Sequence, residues 1–139
     1  MHFLIALALA AAAVVQTPGS LQRSDTVLVR KVIDGDTIDV AGVGRVNLLG
    51  VAAAAGAVAR DRLASLVLQR WVRLEYDAAP AASGRQAYVV RDDGVFVNAE
   101  MVRDGLARVA GRRAIARLAE LQRAEREARA RHAGVWADR

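Results

Sequence analysis

The chain contains no cysteine, which excludes a disulfide framework, a thiolate metal site and a cysteine nucleophile. Histidine is almost as scarce. His2 lies at the N-terminus and His132 near the opposite end, so no histidine pair is placed to bind a metal. Aromatic residues make up 4% of the chain, two each of Trp, Tyr and Phe, so a surface that relies on stacked rings must be small. Lysine occurs once, as Lys31, and every other basic side chain is arginine. An apolar run long enough for a membrane span is also missing. The leading stretch HFLIALALAAAAVV (2–15) has an apolar core of about a dozen residues, the length of a signal-peptide h-region. Spanning a bilayer takes roughly 18 or more.

That stretch is followed by the breaker run QTPGS, and Ala11-Ala12-Ala13 offers a small-x-small cleavage site. Residues 1–20 are therefore expected to be a signal peptide, or an uncleaved N-terminal anchor, since Met1-His2 lacks the usual basic residue. The expectation is an exported protein, periplasmic or secreted, with no other transmembrane segment and a folded domain over 21–139.

What is present begins with length and charge. A chain of 139 residues suits one domain, large enough to bury a core unaided. Net charge is +5 with a pI near 10.9. This favours anionic partners, nucleic acid first. A GC-biased coding sequence would also produce an alanine- and arginine-rich chain with no ligand in view.

TVLVRKVI (26–33) is β-branched and reads as a strand; DGD marks a turn, and TIDV (37–40) alternates as a half-buried strand. AGVG is a hairpin turn and RVNLLGV (45–51) the returning strand. Ala59, Leu63, Leu66 and Val67 recur at helical spacing over 57–69. WVRLEYD (71–77) is a fourth strand, opening on Trp71 as a core residue, and AAPAASG a loop. AYVVR and VFV flank Asp92-Asp93-Gly94 as a hairpin. Asn98 suits an N-cap and Gly105 a C′ position, with a short helix between. Ile115, Leu118, Leu121, Ala124 and Ala128 mark one stripe of a long final helix, closed by Gly134 and Trp136; Tyr88 and Trp136 read as core. Glu125 with Arg129 and Glu127 with Arg131 are spaced as i,i+4 pairs. The fold class that follows is mainly β with α: a five-stranded OB-fold barrel with three helices.

Five segments carry a resemblance: VIDGDTIDV, VNLLGV, SGRQAYVV, DDGVFVNAEMVRDGLARV and AEREARARHAGVW, in that order over 32–136. Together they resemble the staphylococcal nuclease (thermonuclease) family. The resemblance implies an SNase-like OB-fold barrel. It also implies calcium-dependent hydrolysis of DNA and RNA phosphodiesters, using two metal-binding aspartates, a glutamate that activates water and two phosphate-binding arginines.

Carried over residue by residue, the resemblance places Asp36 on the first metal aspartate, with Asp34 as its neighbour, and Arg85 on the second arginine. The first arginine position is Asn47, the second metal carboxylate position is Ala52 and the glutamate position is Ala55. The aspartate shortly before the Gly-Arg pair is absent, and one residue is missing between Arg85 and the tyrosine. No carboxylate occurs between Val46 and Arg60; Asp61 and Glu75 are the remaining recruits, and Arg45, two residues before Asn47 on the same sheet face, is a weak substitute for the arginine.

Losing a charge stabiliser costs about 10²–10³ in rate, and losing a general base roughly 10²–10⁴. The sequence thus leads to a catalytically impaired or inactive nuclease homologue that binds nucleic acid (single-stranded DNA or RNA) or another polyanion, as a monomer and without a cofactor. Two alternatives stand beside it. One is an atypical calcium-dependent nuclease using Asp36 and Arg85. The other is an envelope module with a protein partner at the cleft.

Overall fold

A computed structural model describes residues 21–77, 85–111 and 116–137. The leader, the AAPAASG loop and Ile115 lie outside the described residues. The first strand, β1 (Gln22–Asp34), is longer than TVLVRKVI alone. It turns through Gly35 into β2 (Thr37–Val40), which hairpins into β3 (Gly44–Leu48). RVNLLGV does not continue as one strand. The chain turns at Leu49-Gly50, and β4 (Val51–Ala53) leaves the barrel. Helix α1 (Ala57–Val67) follows, then β5 (Trp71–Tyr76), β6 (Arg85–Arg91), α2 (Val97–Arg103), β7 (Ala107–Val109), α3 (Leu118–Ala130) and a single 3₁₀ turn, Gly134–Trp136.

The strands β1-β2-β3-β6-β5 close into a barrel, with β5 returning to pair with β1. Among the described strand pairs, only β3–β6 is parallel. Closure is feasible because β1 serves two neighbours along its 13 residues and carries bulges in both pairings, which bend it around the corner. Five strands with three helices, mainly β with α, is the architecture the sequence pattern leads to. The separate β4–β7 ribbon is an addition to it.

Alternating apolar residues fill the barrel: Val29, Ile38, Val40, Val46, Leu48, Val72, Leu74 and Val89 are all buried. The expected stripe of α1 (Ala59, Leu63, Leu66, Val67) is buried, as are Leu121, Ala124 and Ala128 of the α3 stripe, while Leu118 is half-buried at the start of the helix. α2 ends where Gly105 was expected to end it. Gly105 has φ +71, and a Cβ there would lie 2.1 Å from the Ala133 carbonyl oxygen. Glycine is thus required twice, by conformation and by contact.

Five local expectations are corrected. VFV is not a strand, since only one bridge, Val90 to Phe96, forms before α2 begins. Asn98 is no cap: it lies inside α2, fully buried, with Phe96 at the cap position. Its amide accepts from the Val89 N–H (2.9 Å) and donates to the Leu49 (2.9 Å) and Ala87 (3.3 Å) carbonyls, sewing helix to barrel. Trp71 is 52% exposed rather than core, because its position on β5 alternates with the buried Val72 and Leu74 and faces out. Glu127 pairs with Arg103 (2.8 Å) rather than Arg131, while Glu125–Arg129 forms as spaced, at 2.8 Å. Tyr88 is buried, whereas Trp136 is half-buried between Arg108 and Arg129, at 4.8 and 4.3 Å from its ring. Among the described residues, no helix is long and apolar enough to cross a membrane.

Candidate functional site

The β1–β2 turn is built by its own side chains. Asp34 accepts a hydrogen bond from the Asp36 N–H (3.0 Å), the local bond that makes aspartate a turn residue. Asp36 then reaches across to β4, where its Oδ2 accepts from the Ala53 N–H at 3.0 Å. The Thr37 hydroxyl lies 3.2 Å from Asp36 Oδ1 and 2.9 Å from Asn47 Oδ1, and its single hydrogen serves one of them at a time. Both oxygens of Asp36 are therefore within hydrogen-bonding distance of protein donors.

These contacts set the charges. Partial burial raises the Asp36 pKa above the ordinary carboxylate value; the Ala53 N–H works against this and the Asp34 carboxylate adds to it. Asp34 goes the other way. Desolvation would raise it, but its hydrogen bonds with Asp36 and Thr37 together outweigh that and lower it. Of the two carboxyl groups, the negative charge is therefore favoured on Asp34.

The four alanines separate into two kinds. Ala53 supplies the N–H held by Asp36, and the Ala54 N–H donates to the Leu106 carbonyl at 2.8 Å. Ala53 also touches the turn. Buried Gly35 packs so closely that a Cβ on it would lie 2.7 Å from the Ala53 Cβ and 2.8 Å from the Ala59 Cβ. Ala52 and Ala55 have no such duty, and both are exposed. Ala52 sits opposite Arg108 in the β4–β7 ribbon, and Ala55 just precedes α1.

Of the expected site positions, the fold brings together Asp34, Asp36 and Asn47, with the backbone of Ala52 and Ala53 alongside. Arg45 does share an outer face with Asn47, since their cross-strand partners are Asp39 and Thr37. Arg85 opens β6, exposed, and donates to the Val43 carbonyl at 3.2 Å. Val43 precedes β3, whereas Leu48, whose N–H is bonded to the Asp36 carbonyl at 2.8 Å, ends it. The guanidinium is thus anchored roughly 15–17 Å along the strand from the aspartate turn, at about 3.3 Å per residue.

The two other acidic recruits are placed elsewhere. Glu75 is buried between Arg23 (3.2 Å) and Arg117 (2.9 Å), and Asp61 stands exposed on α1 beside Arg60. Among the described residues, no three His, Cys, Asp or Glu side chains cluster as a metal site.

A model of the family described as staphylococcal nuclease homologue matches residues 38–138. The chain belongs to that family. The matched stretch includes Asn47, Ala52, Ala55 and Arg85 and begins just after Asp36. None of the curated proteins matches the chain.

Sequence reading missed a second polar region of this SNase-family barrel. Arg23, Arg73, Glu75, Arg117 and Glu120 line a surface cleft of about 500 Å³ at the β1–β5 face. Arg117 also covers the Phe96 ring at 3.9 Å. The signal was available in WVRLEYD, where Trp71, Arg73 and Glu75 share one face by alternation.

Proposed function

We propose that the chain is a non-cleaving member of the nuclease family, exported, that holds single-stranded nucleic acid or a similar polyanion. The observation that carries this reading is the state of Asp36. It is the family-position carboxylate that remains, and both its oxygens face protein donors, Ala53 N–H and the Thr37 hydroxyl. The donor set does not fit calcium, which takes 6–8 oxygen ligands, preferably several of them carboxylate. Asp36 and the turn-bound Asp34 would have to supply nearly all of the charge, with methyl groups at Ala52 and Ala55 where carboxylates would complete the shell.

The arginine positions support the same reading. Asn47 makes a neutral contact to Thr37 in place of a phosphate-binding cation, and Arg85 is bonded to a carbonyl at the other end of β3. Positive charge nevertheless remains, at +5 for the whole chain, which suits holding a phosphate backbone more than breaking it. Such binding is electrostatic and weakens as salt rises. The short N-terminal apolar run supports export.

The test is a digestion assay on plasmid and single-stranded DNA with calcium or with EDTA, run beside the triple variant Ala52→Asp, Ala55→Glu, Asn47→Arg. The expected result is no metal-dependent cleavage by the natural chain and measurable cleavage by the triple variant, whose three positions are all exposed. Calcium-dependent cleavage by the natural chain that disappears in Arg85→Ala would overturn the reading.

A further inference from the structure

Aromatic surface is scarce in this chain, and among the described residues almost all of it is occupied. Among the described residues, Trp136 is flanked by Arg108 and Arg129, Phe96 by Arg117, Tyr88 is buried and Tyr76 half-buried. Among the described aromatic residues Trp71 alone is open, at 52% exposure. It stands on the outer face of β5, paired with Leu28 of β1, and its carbonyl accepts from the Asp92 N–H at 3.3 Å. Nothing in the fold requires an indole at this exposed position.

Its surroundings are cationic. Arg73, two residues on, shares the face and links Trp71 to the cleft beneath α3. In that cleft Glu75 is neutralised by Arg23 and Arg117, and Glu120 by Arg117. Arg73 has no carboxylate within ion-pair distance among the described residues; the same holds for Arg70, adjacent to Trp71, and for Arg30 on β1. The acids near these three cations are Asp92, Asp93, which is paired with Arg91 and also lies in the field of Arg70, and the exposed Asp25, next to Thr26, the cross-strand partner of Arg73. An open ring beside arginines that make no ion pair is the combination that binds single strands, with bases stacking on the ring and phosphates meeting the cations.

We infer that single-stranded nucleic acid docks on this face, one base against Trp71 and the adjoining phosphates against Arg73, Arg70 and Arg30. The inference rests on the polyanion-binding reading above and moves the ligand from the family cleft to a separate surface. Leu28, opposite Trp71, lies six residues before Asp34, roughly 20 Å along β1 from the aspartate turn. A protein partner fits less well. One ring and the neighbouring Leu68, 44% exposed, offer far less apolar area than the roughly 800 Å² a stable interface covers on each side.

The intact chain is titrated with oligothymidylate of about 12 nucleotides, a length within the site sizes of OB-folds. EDTA is present, salt is low, and tryptophan emission is followed. The expected result is quenching on binding, a roughly 5- to 150-fold loss of affinity in Trp71→Ala, the range that corresponds to one base–aromatic stack, and partial retention in Trp71→Phe. Arg73→Glu, at an exposed position, weakens binding as well and keeps the test open if Trp71→Ala folds poorly. Wild-type affinity in Trp71→Ala and Arg73→Glu, with loss in Arg45→Ala or Arg85→Ala, returns the ligand to the family cleft and overturns this inference while sparing the polyanion reading. Absence of any binding by the natural chain sinks both. A blue shift of emission with rising chain concentration and no oligonucleotide, matched by dimer in sedimentation, assigns the face to a second copy and also overturns it.

Discussion

If Asp36 serves the fold instead of a metal, calcium should hardly change the melting temperature, and the size of "hardly" can be worked out. A ligand that binds the folded state alone stabilises it by RT ln(1 + [L]/Kd). At about 10 mM calcium, a site with Kd near 0.1 mM, typical of weaker extracellular calcium modules, would add about 2.7 kcal/mol. A folded unit of roughly 120 residues has an unfolding entropy of about 0.25 kcal/mol per kelvin, so that gain would raise Tm by roughly 10 °C. With one partly buried carboxyl whose oxygens already face the Ala53 N–H and Thr37 hydroxyl, Kd should exceed roughly 100 mM, and the rise should stay below about 1 °C. The assay is a thermal melt in calcium against sodium chloride of matched ionic strength, on the natural chain and on Asp36→Asn.

The variant has its own expected sign. Burial raises the Asp36 pKa in the fold, so its contribution to stability is fully present below the unfolded value, near 3.9, and is lost as pH rises through the folded value. At neutral pH the neutral amide removes the cost of burying the charge and still accepts from Ala53, so Asp36→Asn should melt no lower than the natural chain. Asp36→Ala abandons the Ala53 N–H and should lose about 1–3 kcal/mol. A calcium-specific rise near 10 °C that vanishes in Asp36→Asn would refute the reasoning.

Three further outcomes are expected. Gly35→Ala should cost about 1–3 kcal/mol in urea unfolding, because the added methyl meets two Cβ atoms within 2.8 Å. Asn98→Ala should be worse, roughly 2–5 kcal/mol by the same measurement, since it leaves the buried Val89 N–H and the Leu49 carbonyl without their partner, while the Ala87 carbonyl keeps the Leu49 N–H. Tyr88 is raised above its ordinary pKa by burial first and by its bond to the Asp77 carboxylate second, so its contribution is present below about pH 10 and lost as pH climbs through the folded value; Tyr88→Phe should flatten the alkaline limb of a stability–pH curve.

The family and the barrel were legible because they rest on short-range patterns. Strand alternation, DGD, the helical stripes of α1 and α3, and Gly105 each state a local preference, and the fold honours them. Asn98 was misread for a related reason. A polar residue near a helix start is usually a cap, and only the approach of β6 and the turn at Leu49 turns the same amide into a three-bond buried junction. Trp71 was misread because an aromatic residue in a strand reads as core. Alternation carried the contrary message: Val72 and Leu74 claim the inner face and leave Trp71 outside.

The sequence by itself determined the barrel, the family and the alanines at positions 52 and 55, since these are matters of residue type and order. Tertiary structure decided what the remaining groups do. Whether Asp36 is open or engaged depends on Ala53 arriving from β4, whether Arg85 points at the aspartate turn or away depends on the Val43 carbonyl, and whether position 35 admits anything larger than glycine depends on Ala53 and Ala59. Each of these is a contact between residues far apart in the chain, formed only when the barrel closes. Residue pattern along the chain therefore does not report them.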